Sequence, residues 1–107
     1  MTAIIALSTA PDVDSARHIA AALLEKRLAA CVQIVPAIES LYRWDNAVQR
    51  DTEYQLVIKT TAAASERARE ALSQLHPYDV PQWLTIDSVS GSEAYLHWLH
   101  SEVADTK

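Results

Sequence analysis

Glycine and cysteine each occur once in the 107 residues, and phenylalanine is absent. Loops that bind phosphate groups through backbone amides need several glycines, so the lone Gly91 excludes Walker-type and dinucleotide-binding fingerprints. The lone Cys31 excludes an intrachain disulfide and a zinc-ribbon spacing, and its isolation fits a reducing cytoplasm. Any site for an anion must therefore consist of side chains or helix ends.

Positive charge is also scarce. Nine Lys and Arg residues stand against 14 Asp and Glu residues, which gives a net charge of −5 and a pI near 5.2. Nucleic-acid binding requires clustered positive charge, whereas these basic residues are scattered, so we expect no nucleic-acid partner. The apolar segment 3–7 is shorter than a signal-peptide core, and no apolar run has the length of a membrane span, so we expect no membrane partner.

Apolar residues make up 50% of the chain, which is enough for a single domain over residues 1–107 to bury its own core. Their spacing predicts strands at 3–9, 31–44, 53–60 and 83–89. The same spacing predicts helices after Asp12, around 64–76 and after Gly91. The resulting order β-α-β-β-α-β-α is typical of a ferredoxin-like α+β sandwich with an additional C-terminal helix.

The second predicted strand is too long for a compact chain of this size. Residues 31–44 would extend roughly 46 Å, whereas a folded chain of this length has a diameter of about 33 Å. A hairpin formed by this strand and its successor must protrude, and its exposed edges need a partner chain. The pattern therefore predicts an obligate oligomer.

Strict alternation along 31–44 assigns one set of residues to a common face: Val32, Ile34, Pro36, Ile38, Tyr42 and Trp44. Pro36 has no N–H group for the ladder, so we expect a β-bulge or an edge position there. Asp45 and Asn46 supply the hairpin turn, because Asn tolerates the left-handed backbone that a tight hairpin requires.

Several segments recur in a known family: LAACV at 28–32, IVP at 34–36, ESLYRW at 39–44, IKTT at 58–61, HPY at 76–78 with Pro81, and YLHWL at 95–99. Together they resemble the CutA divalent-cation tolerance family over nearly the whole chain. The resemblance implies a ferredoxin-like homotrimer with interlocking hairpins, an architecture similar to that of PII-type signalling proteins. It also implies a cytoplasmic role linked to copper and other divalent cations, and no established enzymatic activity.

Four positions depart from the pattern of that family. Some relatives associated with copper have Cys and His where this chain has Ser8 and Leu75. Gln82 stands where Glu is usual, and Asn46 takes the place of a Gly in the hairpin turn. Two donor side chains of the copper-associated relatives are therefore missing here.

His76 and Cys31 are the candidate metal ligands that remain. His76 follows the last turn of a predicted helix and precedes a rigid proline-containing loop, and Cys31 is the only soft donor in the chain. The plain alternatives are a His that bonds a carbonyl at the helix end and a Cys that packs within its strand. No cofactor is obligatory in this interpretation, and copper or another divalent cation is the candidate ligand.

A second candidate site is a cleft built from aromatic and basic residues. Its candidate members are Tyr42, Trp44, Tyr78, Arg43 and Lys59. The two basic side chains would bind a carboxylate or phosphate group. The plain alternatives are aromatic packing in a core that lacks Phe, and ion pairs between the basic residues and nearby carboxylates.

Three functions follow from these observations. The first is tolerance of divalent cations by a cytoplasmic homotrimer that is not an enzyme and binds metal weakly near His76. The second is a PII-like trimeric sensor that binds a small anion in clefts between subunits. The third is a trimeric scaffold that binds another protein.

Overall fold

The computed structural model describes residues 2–104, which form four strands and three helices. In chain order they are β1 (Ala3–Ala10), α1 (Val13–Glu25), β2 (Cys31–Trp44), β3 (Ala47–Thr61), α2 (Ser65–Leu75), β4 (Leu84–Ile86) and α3 (Glu93–Glu102). The strands form one sheet in the order β2-β3-β1-β4, and all neighbouring pairs are antiparallel. This arrangement confirms the predicted ferredoxin-like α+β fold with its C-terminal helix. No helix within residues 2–104 is both long and apolar enough to cross a membrane.

Helix α1 begins as the sequence predicts. The Oδ1 atom of Asp12 accepts a hydrogen bond from the Ser15 amide at 2.7 Å, and this bond satisfies one of the free N–H groups of the first turn. Four side chains at helical spacing face the sheet and are buried: Ala16, Ile19, Ala20 and Leu23. Leu24, which the same pattern assigns to the buried stripe, is 41% exposed. One residue corresponds to 100° of helix rotation, so Leu24 lies beyond the edge of that stripe.

The main core lies between the sheet and the helices α1 and α2. The even-numbered residues 4–10 of β1 and 56–60 of β3 face these helices and are buried, as Ala6, Leu56 and Ile58 show. From the other side, Ala68 and Leu72 of α2 complete this layer. The tight packing of Ala against β-branched and Leu side chains brings both helices close to the sheet.

Helix α3 packs on the opposite face of the sheet, at the end where Ala3 lies. Leu99 and Val103 are buried there against Ala3 and Ala64. Two arginines hold the chain after α3: Arg67 donates to the Ala104 carbonyl at 3.1 Å, and the Arg27 carbonyl accepts a hydrogen bond from the Ala104 amide at 2.9 Å. Within residues 2–104, the remainder of this sheet face carries no helix, and we call it the open face.

The hairpin of β2 and β3 is longer than the hydrophobic pattern predicts, because β3 begins at Ala47 and not at Glu53. The pairing continues to the pair Trp44 and Ala47. The residues at 49–52 are polar, so the apolar pattern does not predict this part of the strand. The turn is formed as predicted by Asp45 and Asn46, whose φ angles are 54° and 61°. The chain measures 44 Å along its longest axis and 25 Å across it, so the predicted protrusion is confirmed.

A β-bulge interrupts β2 where Pro36 predicts it. The pair Val35 and Gln55 is followed by the pair Ile38 and Glu53, so β2 has one residue more than β3 between them. Ala37 adopts a φ of 54° at this point. A single inserted residue reverses the alternation of side chains beyond it.

The prediction of one common face for 32–44 is therefore wrong. Val32 and Ile34 pair with core residues and face the helices. Ile38 pairs with Glu53, which lies on the other face of β3, so Ile38, Tyr42 and Trp44 project from that other face.

Strand β4 contains only Leu84–Ile86, where the alternation predicts 83–89. Ser88 has a φ of 56°, and this left-handed backbone interrupts the ladder. After this interruption, the Val89 amide donates to the Ala3 carbonyl of β1 at 3.1 Å.

Removal of either of two buried hydroxyl groups, those of Ser8 and Thr60, should change the stability of the protein in opposite directions. Ser8 is fully buried and its Oγ has no hydrogen-bond partner among residues 2–104, whereas Thr60 donates to the Leu28 carbonyl at 2.6 Å. We expect Ser8→Ala to raise the free energy of unfolding by about 1 kcal/mol and Thr60→Val to lower it by about 1–2 kcal/mol. Urea titrations at one fixed protein concentration, followed by tryptophan fluorescence, measure both. A destabilised Ser8→Ala would show that the hydroxyl has a partner in solution.

Candidate functional site

A cleft of about 750 Å³ lies between the hairpin and the loop that follows α2. One wall consists of residues 39–42, Trp44 and Glu53 of the hairpin. The other wall consists of residues 78–82, and Thr9 lies at the end of β1. The volume is within the range of about 300–1,000 Å³ that is usual for small-molecule sites.

The bulge in β2 determines which side chains face the cleft. Tyr42 pairs with Gln49 and Trp44 pairs with Ala47, so both aromatic residues share the face of Glu53. Without the extra residue they would project from the opposite face. Because this part of the hairpin extends beyond the helices, Tyr42 and Trp44 remain exposed.

His76 holds the second wall of the cleft against the sheet. It is buried, its Nε2 lies 2.6 Å from the Thr9 carbonyl, and its Nδ1 accepts a hydrogen bond from the Tyr78 amide at 3.1 Å. The two contacts require the tautomer with the proton on Nε2, because a carbonyl only accepts and an amide N–H only donates. The imidazole also packs against the Tyr78 ring at 4.8 Å between centroids. Both ring nitrogens are therefore engaged in fixing the loop.

Glu53 is the most buried charged residue of the cleft, with 7% of its surface exposed. The Tyr78 hydroxyl donates to its Oε2 at 3.0 Å. Burial and, after it, the hydrogen bond to Glu53 and the negative charge of that group raise the pKa of Tyr78 to about 12. Tyr78 is consequently a neutral hydrogen-bond donor at neutral pH.

A second tyrosine on this face is also bonded to a carboxylate. The Tyr42 hydroxyl donates to Oδ2 of Asp51, and this hydrogen bond raises the pKa of Tyr42 above its usual value. The bond holds the Tyr42 ring across the strand pair, since Asp51 lies diagonally opposite on β3.

The cleft carries negative charge. Glu39, Glu53 and Asp79 line it, and no Lys or Arg of the described part of the chain, residues 2–104, is among its lining residues. Arg50 approaches Glu39 only to 4.0 Å, and both side chains are largely exposed, so this pair contributes little. Within residues 2–104, no Lys, Arg or His nitrogen lies within 4.0 Å of the carboxylates of Glu53 and Asp79.

The structure brings together three of the five residues predicted for a ligand cleft. Tyr42, Trp44 and Tyr78 line it, whereas Arg43 and Lys59 do not. Arg43 pairs with Val48 on the other face of the hairpin. The Lys59 ammonium lies 5.6 Å from the centroid of the Tyr95 ring, beside α3.

Glu53 was not predicted as a cleft residue, although the sequence around it contains an indication of such a role. It is an acidic residue within the apolar run that ends at Thr60, and an unpaired charge in such a run indicates a specific contact. The side chains of β2 that share a face with Glu53 could not be predicted from the sequence, because the bulge in β2 lies opposite to this part of β3.

The two predicted metal ligands lie apart. Cys31 is paired with Lys59, which is paired with Ile5, whereas His76 contacts Thr9 at the other end of β1. Four residues of strand separate these two positions, or about 13 Å. No group of three or more His, Cys, Asp or Glu side chains within residues 2–104 is arranged to hold a metal ion. His76 and Cys31 of one chain therefore do not fit a common metal site, and metal binding by either residue stays a prediction.

A four-stranded ferredoxin-like sheet with a projecting hairpin and an acidic cleft at its base defines the class of this protein. The model of the family described as CutA1 divalent ion tolerance protein matches residues 4–102. The chain belongs to this family, as its sequence motifs indicate.

Known relatives agree with this assignment over most of the chain. The divalent-cation tolerance protein CutA of Thermus thermophilus is 45% identical over 95 residues, which cover 89% of this chain and 92% of that protein. The crystal structure of CutA1 from Oryza sativa superposes with a TM-score of 0.95 at 34% identity, covering 99% of this chain and 97% of that chain. The chloroplastic protein CutA of Arabidopsis thaliana is 40% identical over 96 residues, which cover 90% of this chain and 53% of that protein.

The raised pKa of Tyr78 predicts a specific dependence of stability on pH. Because the folded-state pKa of about 12 exceeds the unfolded value of about 10, the folded form retains a proton that the unfolded form loses between these pH values. The stabilisation is complete below pH 10 and is lost as the pH rises through 12. We expect the stability of Tyr78→Phe to fall less steeply over this range than that of the wild type.

Absorbance at 295 nm, which follows tyrosinate, tests the assignment directly. Tyr78→Phe should remove amplitude from the last part of the alkaline titration of the folded protein. Loss of amplitude near pH 10 instead would contradict the bond between Tyr78 and Glu53.

Proposed function

We propose that this protein acts in the tolerance of divalent cations as a cytoplasmic homotrimer and that it is not an enzyme. The observation that carries the proposal is the family match over residues 4–102. The names of the relatives describe tolerance of divalent cations and mention no reaction. We propose a cytoplasmic location because the single cysteine, Cys31, is unpaired, as is usual in a reducing compartment. The Arabidopsis relative is named as chloroplastic.

The exposed apolar surface of the open face supports association between chains. Leu84 and Ile86 of β4 are 59% and 50% exposed, and Val35 of β2 is 39% exposed on the same face. Leu84 and Ile86 are neighbours on β4, and Val35 lies at the opposite edge of the sheet. Aliphatic side chains exposed at both edges of one sheet face would be costly in a monomer, and their burial drives association.

The unpaired edge of β2 supports the same conclusion. β2 is the outermost strand of the sheet and has 14 residues, so its outer edge offers a long row of free backbone groups. On the projecting arm Leu41 and Val48 are largely exposed as well, on the face opposite to Trp44. A closed ring of three chains, in which each hairpin covers a neighbour, would satisfy both the edge and the two apolar faces.

A matched pair of substitutions tests the association. Ile86→Glu introduces a charge on the open face, whereas Leu24→Glu introduces the same charge at a residue of similar exposure, 41%, on α1. If the chains associate through the open face, Ile86→Glu should dissociate the trimer or yield unfolded chain, and Leu24→Glu should leave the mass unchanged. Size-exclusion chromatography with light scattering measures the mass. A wild type that elutes as an 11.8 kDa monomer would refute the trimer.

Weak copper binding near His76 remains part of the proposal. Because both ring nitrogens of His76 are hydrogen-bonded, a metal ion would have to replace the bond to Thr9 or the bond to Tyr78, which lowers the affinity. Cys31 offers a thiol separately at the start of β2.

Isothermal titration with copper(I) and copper(II) tests this binding. We expect weak binding that His76→Ala reduces further and that Cys31→Ser reduces for copper(I) only, because thiolate is the softer ligand. His18→Ala, an exposed His of α1, serves as the control. Binding that is absent from the wild type, or equal in all variants, would remove the site.

A ligand sensor is the second candidate function, because the cleft has the volume of a small-molecule site. The negative charge of its lining disfavours the small anion that the aromatic and basic residues suggested. No contact within residues 2–104 favours the third function, a scaffold for another protein.

A further inference from the structure

Two opposite charges on one face of the sheet have no ionic partner among residues 2–104. Glu53 is 7% exposed, its bonded partner is the neutral hydroxyl of Tyr78, and no cationic nitrogen of these residues lies within 4.0 Å of its carboxylate. Lys59 is half-buried beside the Tyr95 ring, and no carboxylate of the same residues lies within 4.0 Å of its ammonium. Charges removed from water are unfavourable unless they are paired, so both groups require a counter-charge.

The two charges cannot pair within one chain. Glu53 and Lys59 lie on the same strand, β3, and their side chains project from the same sheet face because their positions differ by an even number. Their separation along the strand is roughly 20 Å, whereas an ion pair requires contact of nitrogen and oxygen within about 4 Å. An ion pair between Glu53 and Lys59 is therefore possible only between two chains.

Lys59 is the only strand cation within residues 2–104 that lies on the face of Glu53. The other two strand cations, Arg43 and Arg50, belong to the register of the even-numbered residues of β3, whose side chains project from the opposite face. The remaining Lys and Arg residues of this part of the chain lie in or next to the helices. A second chain that covers the open face with its own open face therefore offers Lys59 as the cation for Glu53.

The two ends of this sheet face differ in charge. Glu53 lies at the hairpin end, where Asp79 of the loop after α2 lines the same cleft. Lys59 lies at the other end, beside Tyr95 of α3. In a closed ring of three identical chains, two different patches of the chain meet at each contact. Contact of the acidic end of one chain with the basic end of the next would occur three times and would pair every Glu53 with a Lys59.

We propose that the Lys59 ammonium of one chain pairs with the Glu53 carboxylate of its neighbour in the homotrimer, so that a second chain completes the cleft. The Tyr78 hydroxyl binds Oε2 of Glu53 and leaves Oε1 for the ammonium. The contacts of Tyr78 with Glu53 and of Lys59 with Tyr95 then connect the loop after α2 of one chain to α3 of its neighbour. This inference rests on the proposed homotrimer and adds the residues that determine how its chains meet.

Exchange of the two charges tests the pairing. Glu53→Lys and Lys59→Glu each place like charges at the contact, and each should raise at least tenfold the protein concentration at which half of the trimer has dissociated. The double variant Glu53→Lys/Lys59→Glu restores opposite charges and should recover most of this loss. Glu53→Lys/Arg43→Glu has the same net charge but should not recover it, because Arg43 projects from the other face. Light scattering over a dilution series measures the dissociation.

Coupling with a water-soluble carbodiimide tests the pair in the wild type. This reagent joins a carboxylate and an amine that are in contact through an amide bond. We expect covalent dimers and trimers on a denaturing gel and, by mass spectrometry, a linked peptide pair that contains Glu53 and Lys59. Lys59→Arg keeps the positive charge but cannot form this amide, so it should remain a trimer without that linkage.

The two tests distinguish failure of the pairing from failure of the homotrimer. A wild type with the mass of a monomer refutes the homotrimer and the pairing together. A wild-type trimer whose loss of association in the single variants is not recovered by the double exchange refutes the pairing alone. If the exchange variants do not fold, the coupling of the wild type decides: a linkage between Glu53 and Lys59 supports the pairing, and its absence overturns it.

Discussion

The single extra residue in β2 is the constraint on which the rest of this structure depends. Before the bulge at Pro36 and Ala37, the strand contributes Val32 and Ile34 to the core beneath the helices. After it, the alternation is reversed, and Tyr42 and Trp44 share a face with Glu53. One local insertion thus separates a core-forming half of the strand from a half that forms a surface. Proline is suited to this point, because it has no N–H group and a residue in a bulge does not have to donate a hydrogen bond to the neighbouring strand.

The second wall of the cleft depends on a short chain of hydrogen bonds. His76 connects the end of α2 to β1 through the Thr9 carbonyl, and it orients Tyr78 through the amide of that residue. Tyr78 then reaches across to Glu53 on β3. The contacts with Thr9 and Glu53 join the loop between α2 and β4 to strands distant in sequence, so the sheet positions this loop although it contains little regular structure itself. Both ring nitrogens of His76 are therefore used to position this loop, although the residue type is also suited to metal binding.

Membership of the family and the composition of the cleft are two separate findings about this protein. The family is defined by tolerance of divalent cations, and the relatives share the fold of this chain closely, with a TM-score of 0.95 for the Oryza sativa structure. The cleft is formed by carboxylates and aromatic rings, and its composition is a property of the tertiary structure that the family description does not specify.

Much of this protein was decided by the sequence alone. The order of strands and helices, the Asp12 cap, the turn at Asp45 and Asn46 and the protruding hairpin follow from local propensities and from the period of the apolar residues, which act over a few neighbours. Family membership also followed from the sequence, because its motifs are spread along the whole chain.

The tertiary structure decided the extent of the strands and the content of the site. The polar start of β3 is a strand only because β2 lies beside it, and β4 is short because the left-handed Ser88 leaves the ladder. The sequence grouped Arg43 and Lys59 with the aromatic residues, yet pairing register directs these basic side chains elsewhere and brings in Glu53. Register is a long-range property, and one inserted residue changes the face of every side chain that follows it.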